Sequence, residues 1–516
     1  MIRSFLTVST GTLASRLLGF ARDSMIAALL GTGPVADAFL AAFQLVNVVR
    51  RLLTEGALNA ALVPAWLRER ETGGTVAATA FAGRVLGTVS AALVVAAALL
   101  GLLMPWVMTA LAPGFAGNET LQLAVGDARL MLPYLAFAGP VTVLLALSSA
   151  QGRFALTAFS PLLFNIALIT VMIALFIWRQ DASFTAVMLA ATVGVAGLLQ
   201  LSMLALRHGD SVAAPLRLAF DPPMRGFIAT AIPGMVASSG PQLLIVGGAI
   251  IASQSPSAVS WLYFANRLVE LPLGIVSVAM GTVLVPELTR ALRGGDAGAL
   301  ASAESRALEL ATGLALPATL GLIVLSTPIV RLLVEHGAFT ALDTTATAQA
   351  LIWLALGLPA HVLVKSLSPA FFAREDTLTP LIAMLKGLVV AILSAVLLGH
   401  FFGATGIAAS IALGAWSNAA SLIRRGAATF GFSIDTAVRR RLPRIAAAAF
   451  LMGALLWLAV MFIPAPIHIL AQAAVLAVSI AGGIAAYGLC LALLGVTGWR
   501  QTVNAIRPAK PSDLRT

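Results

Sequence analysis

The chain has 516 residues, 59% hydrophobic and only 10% charged, with a mean hydropathy of +0.98. A soluble domain carries about 25% charged residues, so a water-soluble globular fold is excluded. The formal net charge of +11 raises nucleic-acid binding as a class, but the placement of the cations, taken up below, removes it.

Apolar stretches recur from end to end at about 20 residues, the length that crosses a hydrocarbon core about 30 Å thick. They are continuously apolar and rich in Leu and Ala, without the alternation of a lipid-facing strand, so a barrel is excluded as well. Read between turn signals, they predict an all-α polytopic membrane protein with fourteen spans: 5–30, 34–66, 81–112, 121–150, 156–178, 183–206, 224–253, 258–290, 306–334, 343–373, 379–402, 405–430, 442–463 and 468–496. No basic n-region with a short apolar core and cleavage site opens the chain, so the first helix is expected to stay in the mature protein. The single cysteine, Cys490, lies in the last span and is read as an inert core thiol.

The first span contains "SRLLGFARD", which puts Arg16, Arg22 and Asp23 where lipid-compatible residues belong. The second carries a polar stripe of Asp37, Gln44, Asn47, Arg51, Glu55 and Asn59. At 100° per residue these fall in a sector about 120° wide, with Arg50 off the stripe. Arg129, in the fourth span, is read as a helix tether. The eighth span holds "ANRLVELP", with Asn266, Arg267 and Glu270; the tenth holds Lys365 and the eleventh Lys386. Lys386 is close enough to its span's cytoplasmic end to snorkel.

A charge at mid-bilayer costs about 2.5–3.5 kcal/mol on insertion scales. These residues are therefore expected to face one another or a wet cavity. Arg51 with Glu55, at i, i+4, and Arg267 with Glu270, at i, i+3, are equally spaced for plain ion pairs. Arg16, Arg22, Arg50, Arg51, Arg267 and Lys365 outnumber Asp23, Asp37, Glu55 and Glu270. A cationic surplus favours an anion, and the guanidinium fork suits phosphate oxygens.

With the N-terminus placed in the cytoplasm, the inner loops collect Arg68, Arg70, Arg84, Arg153, Arg207, Arg217, Arg225, Arg290, Arg293, Arg306 and Arg374. They also collect the Arg424–Arg444 cluster, and the tail adds Arg500, Arg507, Lys510 and Arg515; the outer loops hold little beyond Arg179 and Arg331. This asymmetry predicts both termini inside and accounts for the basic excess without nucleic acid. No loop is long enough for a folded extramembrane domain.

Two segment pairs repeat at a common offset. "ALVPAWLRE" around Pro64 matches "VLVPELTRA" around Pro286, 222 positions on, and "GRFALTAFSPLLFNIAL" around Pro161 matches "AREDTLTPLIAMLKG" around Pro380, 219 positions on. The spacing predicts two pseudo-symmetric six-helix lobes, 1–210 and 220–432, of the same orientation, with two helices left over at 440–498 and a basic tail at 499–516. Parallel repeats of this kind are a transporter plan. A lipid-active enzyme would instead need clustered carboxylates or histidines at a membrane face. His208, His336, His361, His400 and His468 are scattered without metal-ligand spacing, so no catalytic or metal site is expected.

The segments "SRLLGFARD", "DAFLAAFQLVNVVRRLLTEGALNAALVP", "SWLYFANRLVELPLGIVSVAMGTVLVPEL", "HGAFT" and "REDTLTP" resemble the MurJ/MviN family of lipid II flippases, over essentially the whole chain. The resemblance implies the fold of the multidrug and polysaccharide exporters: two lobes about a central cavity, with helices 13 and 14 forming a groove for the lipid tail. It implies a substrate-binding set of Arg16, Arg22, Asp23, Asp37, Arg50 and Arg267. Gln44, Asn47, Arg51, Glu55, Asn266, Glu270 and Lys365 would be the supporting polar residues. Periodicity points to Arg51 and the match to Arg50. Gln44 and Asn266 stand where some relatives carry Lys and Asp. The activity implied is translocation of undecaprenyl-pyrophosphate-disaccharide-pentapeptide from the inner to the outer leaflet of a bacterial cytoplasmic membrane by alternating access. No cofactor is implied. The membrane potential is the expected energy source, with Na+, H+ or Cl− as a candidate coupling ion. Lipid II and the bilayer are the expected partners, with cell-wall synthesis machinery a further candidate. Export of another polyprenyl-linked glycan or of drugs is the rival reading.

Overall fold

The computed structural model describes residues 2–54, 57–208, 217–238, 240–279, 297–372, 374, 376, 378–430, 435–462 and 468–496. Glu55, the Pro286 segment with Arg290 and Arg293, and the basic tail lie outside the described residues, as does the side chain of Asn59.

Among the described residues the chain is helical, in the order α1 (Ile2–Leu30), α2 (Pro34–Thr54), α3 (Ala57–Leu111), α4 (Glu119–Met131), α5 (Pro133–Ala150), α6 (Phe154–Trp178), α7 (Ala182–His208), α8 (Pro222–Ser238) and α9 (Gly240–Ala252). There follow α10 (Ala258–Ala279), α11 (Ala297–Val324), α12 (Ser326–Val334), α13 (Ala341–Leu356), α14 (Leu358–Phe372), α15 (Leu378–Phe430), α16 (Thr436–Phe462) and α17 (Ile469–Leu493). Nine helical segments among the described residues are long and apolar enough to cross a membrane. Two of these, of 51 and 52 residues, are far longer than one crossing needs. α3 breaks at Gly74 (φ 74°) and α15 at Gly403 (φ 55°), a left-handed conformation that glycine adopts without a Cβ penalty. The break in α15 falls where the sequence ends the eleventh span. The described helices are consistent with the fourteen expected spans, several as two-helix segments, with the eighth, 258–290, described only to Ala279.

The second span, read as 34–66, is described in α2 to Thr54 and in α3 from Ala57, and residues 55 and 56 lie outside the described residues. Asp37, Gln44, Asn47 and Arg51 share α2.

The chain forms two compact units. The first comprises Met1–Phe264, Leu333–Ala346 and Ala391–Ser410; the second comprises Ala265–Leu332, Thr347–Val390 and Ile411–Thr516. In the first, α1 packs on α6, α3 on α5 and α8, and α2 on α4. Its core gathers Leu62, Trp66, Phe81, Val85, Leu147 and Phe227, with Phe81 and Phe227 edge to face at 6.5 Å. α7 meets α4 closely because Gly194 has no side chain; a Cβ there would lie 2.4 Å from the Leu130 carbonyl oxygen. Arg129 tethers α4 to α3 as expected, its Nε donating to the Gly101 carbonyl at 3.1 Å.

In the second unit α11 packs on α14 and α16, and α16 on α17. Leu308, Leu367, Phe371, Ala383 and Leu422 form a buried cluster. Tyr487 of α17 donates its hydroxyl to the Gly313 carbonyl of α11 at 2.8 Å, and Cys490 is a buried free thiol. The most apolar window of α17 is only 17% buried. An apolar helix left this uncovered is matched to lipid rather than water.

Candidate functional site

α1 is held to its neighbours by its charges. Arg22 and Asp23 are 5% and 2% exposed. Asp23 Oδ1 accepts from Arg22 Nε at 2.9 Å and Nη2 at 2.6 Å, while Arg22 Nη1 donates to Asn165 Oδ1 at 3.0 Å. Asn165 then donates from Nδ2 to the Ser15 carbonyl at 3.2 Å, so one amide of α6 ties both the charge and the backbone of α1. Tyr263 donates its hydroxyl to Asp23 Oδ1 at 3.2 Å. The guanidinium lies over Phe43 and Phe164, at 5.0 and 5.7 Å from the ring centroids, and those rings stack at 6.5 Å. A buried ion pair tolerates its desolvation only when its remaining hydrogen-bonding capacity is met, and removing one partner costs about 3–5 kcal/mol. Arg22 is thus fixed in place.

The other expected cations differ in availability. Arg16 is exposed and makes no hydrogen bond or ion pair among the described residues. It lies seven residues before Asp23, hence on the same helix face. Arg50 is half-buried and donates to Asn47 Oδ1 at 3.2 and 3.4 Å. Arg51 is also half-buried. Gln44 Oε1 is buried and unbonded.

Asp37 is 3% exposed. It receives the Ser260 backbone N–H at 2.9 Å and the Ser260 hydroxyl. Both come from the first turn of α10, where orphan N–H groups and the helix dipole favour an anion.

Near this contact a second carboxylate gathers three segments. Asp343 accepts from Thr32 Oγ1 (2.6 Å), Trp261 Nε1 (3.0 Å), Thr340 N (2.9 Å) and Thr340 Oγ1 (2.7 Å). Thr340 and Asp343 form a capping box that starts α13, because the Asp343 N–H returns to Thr340 Oγ1. Ala338 N donates to the Ala28 carbonyl at 2.8 Å, and Ser24 donates its hydroxyl to the Leu333 carbonyl. Gly337 (φ 59°) makes this approach possible, since a Cβ there would sit 2.2 Å from the Ala28 oxygen. The "HGAFT" motif is therefore the piece that docks on the α1–α2 turn.

In the second unit Arg267 pairs with Glu270 at 2.6 Å, the i, i+3 bridge its spacing allowed, and Asn266 Nδ2 reaches Glu270 Oε1 at 3.5 Å. Lys365 is exposed one turn from His361. Among the described residues no cluster of His, Cys, Asp or Glu is placed to hold a metal ion.

The sequence reading missed Asn165, Tyr263, Ser260 and Asp343. Asn165, the polar member of "FNIAL", and the T-x-x-D of "TALD" were readable signals. The pairing of Asp37 with Ser260, 223 positions away, was not.

Residues 26–474 match the family model described as lipid II flippase MurJ. A probable lipid II flippase MurJ of Rhizobium meliloti (strain 1021) is 37% identical over 494 residues, covering 94% of this chain and 92% of its own length. One from Rhizobium tropici is 36% identical over 535 residues, covering 100% and 99%. Among solved structures, a lipid II flippase MurJ in an inward closed conformation superposes with a TM-score of 0.79 at 21% identity, over 96% of this chain and 100% of that one. An inward-facing multidrug transporter of the MATE family gives 0.65 at 15% identity, over 86% and 99%.

Proposed function

The chain belongs to the lipid II flippase MurJ family, and on that premise we propose how its own residues carry the substrate. The function is translocation of lipid II across the bacterial inner membrane, in which the chain is a multi-pass helical protein; a drug-exporting role is not favoured. As a member of a transporter family it changes no covalent bond, so the mechanism is binding and alternating access.

The diphosphate of lipid II is captured from the cytoplasmic leaflet by a guanidinium cluster in which the residues have unequal roles. Arg16 supplies the free fork and Arg50 joins it. Arg22 sets the potential from a fixed, bonded position. The observation that carries this reading is the surplus of cations over Asp23 and Asp37 on α1 and α2, with Arg16 exposed and unpartnered among the described residues. A charged donor to a phosphate oxygen contributes about 1.5–3 kcal/mol.

Both termini lie in the cytoplasm on this reading, which the arginine distribution supports. The α1–α2 turn and the 335–340 loop then sit at the outer face. The hydrogen bonds of Asp37 and Asp343 latch the outer ends of the helices, and undoing them releases the head group outward. With the inside negative, each anionic charge moved outward gains about 2.3 kcal/mol per 100 mV. Helices α16 and α17 accommodate the polyprenyl tail, and cell-wall synthases receive the product.

Lipid II externalisation by Arg16→Ala and Arg16→Lys in membrane-inserted protein tests the cluster. The Ala variant is expected to lose at least about tenfold, the equivalent of about 1.4 kcal/mol, with partial recovery in Lys. Wild-type rates in both would remove Arg16 from the site.

A further inference from the structure

The start of α10, residues 258–264, holds carboxylates from three other helices. Ser260 donates its backbone N–H and its hydroxyl to Asp37 of α2, and Trp261 donates its indole N–H to Asp343 of α13. Tyr263 donates its hydroxyl to Asp23 of α1. The Phe264 ring meets Tyr263 edge to face at 5.4 Å and Phe339 of the 335–340 loop edge to face at 5.7 Å. All of these residues belong to the first unit. Ser257, just before α10, is a non-glycine residue held at φ 60°. Such a conformation persists where surrounding contacts over-determine it, and it gathers at switch segments.

Two of the three carboxylates, Asp37 and Asp343, belong to the latch. The third does not: Asp23 is the partner of Arg22 and shares a helix face with Arg16. Tyr263 is therefore where the latch meets the arginine cluster. Asp23 Oδ1 receives Arg22 Nη2 at 2.6 Å, Arg22 Nε at 2.9 Å and the Tyr263 hydroxyl at 3.2 Å. The guanidinium bonds are charge-assisted, which makes them the shorter and stronger ones. The hydroxyl bond is the longest of the three, its donor is neutral, and its hydrogen rotates to suit its surroundings. An anion arriving beside the cluster is a competing acceptor. The hydroxyl is the donor that yields to it, while the Arg22–Asp23 pair stays closed.

We propose that Tyr263 is a positioning residue that couples diphosphate binding to the outer latch. With the cluster empty, its hydroxyl ties the start of α10 to α1. With a diphosphate bound, the hydroxyl turns from Asp23 toward the anion and frees the turn that also holds Asp37 and Asp343. An outer end that yields only when the cluster is loaded stays shut while the chain is empty. This rests on the flippase reading and adds to it the link by which occupancy opens the outer end.

Hydrogen–deuterium exchange of the purified full-length chain in lipid nanodiscs reads the turn, because the Ser260 amide is bonded to Asp37 and the Trp261 amide to the Ser257 carbonyl. Two probes are added at matched ionic strength: lipid II in the disc and inorganic pyrophosphate in solution. In the wild type a bound probe is expected to speed exchange over 258–264 about tenfold, the equivalent of one lost hydrogen bond. Tyr263→Phe keeps the ring and its packing on Phe264. It is expected to exchange about tenfold faster when empty and to show no further response to either probe. Ser260→Ala loosens the same turn at Asp37 but leaves the Tyr263 hydroxyl in place, and it is expected to keep the response. A wild-type-sized response in Tyr263→Phe, or loss of the response in Ser260→Ala as well, gives the hydroxyl a merely structural role and overturns the proposal. Exchange in the wild type that neither probe changes overturns it even where a variant does not fold. A response to pyrophosphate with none to lipid II sinks the flippase reading instead and leaves the coupling standing.

Discussion

Replacing Asp343 with Ala removes the acceptor on which the 335–340 loop, the α1–α2 turn and the start of α10 converge. The magnitude follows from what the carboxylate holds. Its two bonds from outside its own loop, to Thr32 at 2.6 Å and Trp261 at 3.0 Å, are charge-assisted and contribute about 1.5–3 kcal/mol each. Loss of the capping box adds about 1 kcal/mol. Water partly replaces these partners at a helix end, so about 3 kcal/mol is the working value for the local closing equilibrium, a factor of about a hundred. Hydrogen–deuterium exchange reads this directly, because the Ala338 and Thr340 amides are bonded to Ala28 and Asp343. The peptide over 335–345 should exchange about a hundredfold faster in Asp343→Ala, while segments within α5 and α7 keep their protection. Asp343→Asn, which keeps an acceptor but no charge, should fall between. Unchanged exchange over 335–345 in a folded Asp343→Ala protein would refute the latch.

Three further outcomes are expected. Gly337→Ala should destabilise by several kcal/mol, since φ is 59° and the new Cβ would meet the Ala28 oxygen at 2.2 Å; a thermal midpoint equal to wild type would contradict this. Asn165→Leu should cost about 3 kcal/mol by stripping Arg22 of its amide acceptor and the Ser15 carbonyl of its donor, and should lower lipid II flipping; thermal unfolding in detergent with a parallel transport assay checks both. Asp376 accepts the Thr379 backbone N–H at 2.9 Å as the cap of α15, and that bond, ahead of a smaller opposing effect of burial, holds its carboxyl below the usual carboxylate range. A folded-state value below the unfolded one gives stability that is present above the unfolded value and lost as pH falls through the folded one. Asp376→Ala should therefore cost about 1 kcal/mol near neutral pH, a difference that shrinks in acid; a gap independent of pH would reject the charged cap.

The membrane architecture was legible because every span must satisfy its backbone internally and cover about 30 Å. Gly403 shows the same legibility locally, standing where the apolar run changes direction. Arg267 with Glu270 was legible as an i, i+3 pair. The α2 site was half-legible: helical periodicity put Asp37, Gln44, Asn47 and Arg51 together, and Arg50, one position before Arg51, reaches Asn47 Oδ1 at 3.2 and 3.4 Å. A long flexible arginine reaches across more than one residue's share of a helix surface, so a 100° rule separates neighbours poorly. Asn165 escaped because one amide in an apolar run looks like composition until its partner, 143 positions away, is known. Asp343 had a visible capping box, but nothing local told that the same carboxylate also serves Thr32 and Trp261.

The central claim is that arginines on α1 and α2 hold the diphosphate of lipid II, with Arg16 the free fork. A cryo-EM structure of the full chain with lipid II bound tests it most directly. The claim requires diphosphate oxygens about 2.7–2.9 Å from the guanidinium nitrogens of Arg16 and Arg50, with the Arg22–Asp23 pair still closed beside them. Head-group density lodged elsewhere, with Arg16 still unliganded, would contradict it.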